Sequence, residues 1–159
     1  MTTKFNNNTH GKWGCCFEYD LKVALGIAPK IAKVGRTDIR KGGICYEAKS
    51  GAGELGVAGE KLVKGSRKVI YCPVVDESLP VERQEAFVLD RVVFLDILDE
   101  LGLIRSKVSS DGIEMTTIQT FWNHSKNAPH SKKKYEALMD ALYANCEMEL
   151  ADFLAQWEK

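Results

Sequence analysis

The chain has 159 residues, 45% hydrophobic and 28% charged, with a formal net charge of zero. Those proportions describe one globular domain and exclude a disordered tail, a collagen-like chain and a disulfide-dense scaffold. No uncharged apolar stretch reaches the ~20 residues that span a bilayer, and the polar start Met1–Thr9 lacks the apolar core of a secretory signal. The expectation is a soluble, cytoplasmic, single-domain protein over 1–159 with no membrane partner.

In chain order, residues 1–12 read as a polar arm. Phe17, Leu21, Ala24 and Leu25 then recur at spacings of three and four, which predicts a helix over 13–27 that Gly26 and Pro29 end. Two alternating runs flank Gly42-Gly43, a strong hairpin signal. Residues 50–66 hold Gly51, Gly53, Gly56, Gly59 and Gly65 and read as a loop, with room for one short helix over 54–63. Lys68–Val75 is a continuous apolar run that predicts a buried strand ending near Pro73.

Beyond it, Phe87, Val88, Arg91, Val92, Leu95, Leu98 and Leu101 predict a long helix, or two, over 80–104. Residues 105–108 and 113–117 pair across Ser110-Asp-Gly112. A last helix, capped by Ser131, carries the stripe Tyr135, Leu138, Met139, Leu142, Tyr143, Cys146, Leu150, Phe153, Leu154 and Trp157. The fold class expected is α/β (α+β): a small mixed β-sheet flanked by helices, with a core over 13–75 and a mainly helical half over 80–159.

Five cysteines form no Cys-x-x-Cys pair, which gives no support to a zinc ribbon or a thioredoxin motif. The neutral charge conceals an asymmetry: residues 1–75 carry 13 Lys and Arg against 6 Asp and Glu, and residues 76–159 carry 9 against 16. One surface for an anion such as nucleic acid, or two halves that neutralise each other, both explain it.

The hairpin carries the chemistry. If Gly42-Gly43 is a two-residue loop, Lys41 faces Ile44 and Asp38 faces Glu47, with Lys49 on the same side. The opposite side holds Ile39, Ile44, Tyr46 and Ala48 and is the one to bury. Two facing carboxylates repel unless something compensates. A hard divalent cation compensates, and it also binds phosphate oxygens. A neighbouring lysine orients the attacking water and stabilises charge building on phosphorus. The alternative is a pair of exposed strand acids neutralised by Arg36, Arg40 and Lys49.

A helix with Glu18, then Thr37-Asp38, then Glu47-Ala48-Lys49 on the next strand resembles the PD-(D/E)XK nuclease superfamily, in the layout of its restriction endonuclease-like and resolvase-like members. The resemblance covers about residues 13–75, with Thr37 at the motif's proline position. It implies a Mg2+-dependent endonuclease acting on DNA, with Mn2+ as a substitute ion. It implies Asp38, Glu47 and Lys49 as catalytic, Asp38, Glu47 and the Ala48 carbonyl as metal ligands, and Glu18 as an added acid. Restriction-like enzymes often pair, so it implies a homodimer as well.

Arg36, Arg40, Lys41, Lys64, Arg67 and Lys68 flank the hairpin and the loop and are candidate DNA contacts. Glu18 has a plainer reading as the partner of Lys22 at i, i+4, and Glu54 as an ordinary loop acid. The segment 121–134 mixes Trp122, His124, His130 and lysines, and serves either as a DNA-contacting loop or as core anchors with solvated lysines. The rival reading of the whole chain is a non-catalytic DNA-binding or regulatory protein on a nuclease-like scaffold.

Overall fold

The computed structural model describes residues 10–27, 39–57, 67–108, 114–119 and 129–157. Its elements run α1 (His10–Ala24), β1 (Ile39–Lys41), β2 (Ile44–Ser50), β3 (Gly53–Val57), β4 (Arg67–Cys72), a 3₁₀ turn (Val81–Arg83), β5 (Phe87–Asp90), α2 (Arg91–Glu100), β6 (Ile104–Val108), β7 (Glu114–Ile118), α3 (Pro129–Asn145), β8 (Met148–Glu149) and α4 (Leu150–Trp157). This is the mixed α/β class expected. A five-stranded sheet has the order β1-β2-β4-β5-β8, and a three-stranded sheet the order β3-β7-β6. Among the described residues, β2 and β4 run parallel and the other adjacent pairs are antiparallel.

Side-chain alternation divides the larger sheet into two faces. Val69, Tyr71, Phe87 and Leu89 point one way, into a core completed by Phe94, Ile97 and Leu98 of α2 and Leu138, Met139 and Leu142 of α3. Leu103 and Ile118 bring the smaller sheet onto the same core. Ile39, Ile70, Cys72 and Val88 point the other way, against Phe17, Leu21 and Leu25 of α1 and Leu150 and Phe153 of α4. Tyr46 and Ala48 pack along that second core, as the apolar side of the hairpin requires.

Four elements differ from the sequence expectation. The helix expected over 80–104 is instead a 3₁₀ turn, the strand β5 and then α2. All four residues of Phe87-Val-Leu-Asp90 are buried, and a fully buried strand has no polar alternation to distinguish it from a helix. Asp90 marks the true start of α2 by accepting a hydrogen bond from the Val92 N–H at 2.8 Å. The final helix is likewise interrupted. At Cys146–Glu149 the chain docks on β5, with the Glu147 N–H donating to the Val88 carbonyl at 2.8 Å and the Leu150 N–H to that of Ala86 at 2.9 Å. Lastly, Gly53–Val57 is a strand bonded to β7 rather than loop or helix. α1 also begins at His10, three residues before Trp13.

The parts legible from local chemistry agree closely. The hairpin has Lys41 facing Ile44, Arg40 facing Cys45 and Ile39 facing Tyr46. Gly42 and Gly43 have φ of 60° and 79°, the left-handed backbone that a two-residue hairpin loop demands and that glycine adopts without strain. β6 and β7 pair as expected. Residues 80–159, expected to be mainly helical, hold α2, α3 and α4, of 10, 17 and 8 residues, and also the strands β5, β6, β7 and β8. Among the described residues, no helix is long and apolar enough to cross a membrane.

Candidate active site

β2 places Glu47 and Lys49 on the face opposite Tyr46 and Ala48 because consecutive strand residues alternate. The parallel ladder sets Glu47 beside Val69 and Lys49 beside Tyr71. The strand is anchored at its end: the Gly51 N–H donates to the Cys72 carbonyl at 3.0 Å, and the buried Tyr71 hydroxyl donates to the Gly51 carbonyl at 2.7 Å. Gly51 has φ of 63°, so the chain turns sharply one residue past Ser50 and the Glu47–Lys49 segment is fixed at both ends.

The Glu47 carboxylate lies between two cations. Its Oε2 is 3.7 Å from the Lys49 ammonium, and its Oε1 is 3.3 Å from Nε of Arg91. The side chains of Glu47 and Lys49 keep 28% and 31% of their exposure, whereas that of Arg91 keeps 5%. Glu47 Oε1 itself is buried and makes no hydrogen bond among the described residues. The contact to Arg91 is therefore one of charge, without the alignment of a fork-to-carboxylate hydrogen bond.

Arg91 was not among the candidate site residues. Its signal was present, since it is a charged residue inside an otherwise apolar helical face. Only the docking of α2 over β4 and β5 brings it to a strand 44 positions earlier in the chain.

Asp38, the expected partner of Glu47, lies outside the described residues, as do Arg36 and Lys64; nothing is described of the side chains of Glu54 and His130, and Trp122 and His124 lie outside. Ala48 is half-buried, its side chain facing the α1 and α4 side. Glu18 is not brought to Glu47. It sits on α1, whose apolar face covers the opposite side of the sheet, and pairs there with Lys22 at 2.7 Å. The i, i+4 pairing holds, with Lys22 only 1% exposed.

The expected basic contacts are dispersed. The Lys41 ammonium donates to the carbonyls of Gln156 and Trp157 at 2.9 and 3.1 Å and lies over the Trp157 ring, a favourable place for a cation at the C-terminus of α4. Lys68 is ion-paired with Glu147, Arg67 lies 4.0 Å from the Cys45 sulfur, and Arg40 is exposed.

A groove of about 970 Å3 is lined by Phe17, Val23, Val75, Leu79 and Val81 among others. It lies on the α1 side and does not include Glu47. Cys72, buried in the core on that side of the sheet, has its thiol pushed up to about 12, first by burial and then by the charge of Glu85, so it is protonated and unreactive at neutral pH.

As a ligand set, the described residues present one carboxylate, Glu47, with a buried oxygen that has no hydrogen bond. Its donor atoms are hard oxygens, the kind that Mg2+ and Mn2+ take, and two cations, Lys49 and Arg91, stand beside them. Among the described residues, no three His, Cys, Asp or Glu side chains gather as a metal group. Comparison of the chain with protein-family models, curated proteins and solved structures finds no match in any of the three.

Proposed function

We propose that the chain is a metal-dependent endonuclease hydrolysing DNA phosphodiester bonds, with Glu47, Lys49 and Asp38 at its centre. The observation that carries this reading is the placement of Glu47 and Lys49 on one face of β2, their charged groups 3.7 Å apart, opposite Tyr46 and Ala48, which pack against the second core. The likeness of Asp38 … Glu47-Ala-Lys49 to the PD-(D/E)XK pattern adds to it.

In this account Asp38, Glu47 and the Ala48 carbonyl would hold Mg2+, which would supply charge neutralisation at phosphate oxygens and activation of water. Lys49 orients the attacking water and, as an ammonium, stabilises charge developing on phosphorus. Glu47 fixes Lys49 through their ion pair, and Tyr71 fixes the strand end through Gly51. Glu18 acts only structurally, because α1 covers the other side of the sheet.

One observation favours a second reading. Arg91 already supplies Glu47 with a countercharge, as a non-catalytic DNA-binding scaffold that has lost its metal would need. Incubation with plasmid, flap and junction DNA in Mg2+ or Mn2+ separates the two. Ion-dependent cutting by the wild type, abolished in Glu47→Gln and Asp38→Asn with DNA binding retained, is the expected result. Salt-sensitive binding with no cutting under any ion overturns the enzymatic reading.

A further inference from the structure

We propose that Arg91 is a positioning residue of the same site: a resident countercharge that holds Glu47 when no divalent ion is bound and yields to the ion when one arrives. The inference rests on the metal-dependent reading above and concerns how the site is kept ready and how tightly it binds.

Two features of Arg91 converge. It is buried, and removing a guanidinium from water is costly unless charged or polar groups compensate. It opens α2 directly after the N-cap Asp90, and across the sheet its Nε stands 3.3 Å from Glu47 Oε1.

The form of that contact matters as much as its existence. Glu47 Oε1 makes no hydrogen bond among the described residues, so attraction to Arg91 rather than a directed bond holds it. A purely coulombic contact is the kind a doubly charged ion displaces, since interaction energy scales with charge at a given distance and dielectric. The same proximity means that Arg91 repels an incoming cation. Lys49, on Oε2 and more exposed, is the catalytic ammonium; Arg91, on the buried oxygen, sets orientation and metal affinity.

The test measures Mn2+ binding to the full chain without DNA, by calorimetry or by the electron paramagnetic resonance of free Mn2+. The proteins are wild type, Arg91→Met, Arg91→Lys, Glu47→Gln and the Arg91→Met/Glu47→Gln double variant. Removing the competing charge should tighten Mn2+ binding about tenfold or more in Arg91→Met. Arg91→Lys, which keeps the charge, should stay near wild type, and the gain should vanish in the double variant.

Arg91→Gln replaces Arg91→Met if the latter does not fold. A wild-type measurement needs no variant: the Arg91 Nε–H resonance should shift as Mg2+ is added. Unchanged or weaker binding in Arg91→Met, or an unmoved Nε–H signal, overturns the proposal while Glu47-dependent binding leaves the metal reading standing. Absence of Glu47-dependent binding in every protein overturns both.

Discussion

Two buried cations, one on each side of the main sheet, meet their carboxylates in different ways. Lys22 pairs with Glu18 one helical turn away, at 2.7 Å and with a hydrogen bond, so the geometry of α1 alone supplies the partner. Arg91 meets Glu47 across the junction of a helix and a strand, at 3.3 Å, and Glu47 Oε1 forms no hydrogen bond among the described residues. The first contact is local and closed. The second depends on tertiary docking, and it leaves a carboxylate available to another cation. On the reading proposed above, the Glu47 pair belongs to the site and the Glu18 pair only holds α1.

The largest effect that would break this division is on catalysis. Glu47→Gln should lower ion-dependent DNA cutting at least about a hundredfold, as loss of a metal ligand does, while Glu18→Gln should leave cutting within about twofold. Equal losses in both variants, measured as initial rates of plasmid nicking, would bring α1 into the site and erase the contrast.

On the structural face, Leu21→Ala should cost about 2–5 kcal/mol in urea unfolding, because Leu21 is fully buried between α1 and the sheet. Mn2+ affinity should not change with it. Alkaline unfolding gives a third discrimination. Cys72 ionises at about 12 when folded, against an ordinary 9.0, so its folded pKa is raised above the unfolded one. Its contribution to stability is complete below pH 9.0 and is lost as pH rises from there through about 12. Cys72→Ala should flatten the fall in stability over that window, and native Cys72 should resist alkylation until the protein unfolds.

The smallest effect sharpens the account of the strand end. Tyr71→Phe deletes the hydrogen bond to the Gly51 carbonyl and should cost about 1 kcal/mol, with a modest loss of cutting as the Glu47–Lys49 segment loosens. A stability loss with unchanged cutting would show that this tether is not needed by the site.

What was legible in the sequence was local. The hairpin register followed from two glycines that tolerate positive φ, and the separation of Glu47 and Lys49 from Tyr46 and Ala48 followed from strand alternation. What was hidden depended on distant partners. Phe87–Asp90 carries a helix-compatible apolar pattern and becomes a strand because β4 offers it an edge. The stripe from Tyr135 to Trp157 looked continuous, yet β8 divides it: Leu138 and Leu142 enter one core, and Leu150 and Phe153 the other. Lys41 and Lys68 looked like free basic groups until Trp157 and Glu147, more than 70 positions away, came to meet them. Arg91 belongs with these cases, being visible as a charge in an apolar face but assignable only once α2 was docked.

The most direct measurement is a crystal structure of the chain grown with Mn2+, examined for anomalous scattering beside β2. The account predicts a peak at about 2.0–2.2 Å from a Glu47 carboxylate oxygen, with Asp38 on its other side and the Arg91 guanidinium moved off Oε1. No peak there at saturating Mn2+, with Arg91 still seated against Glu47, would contradict it.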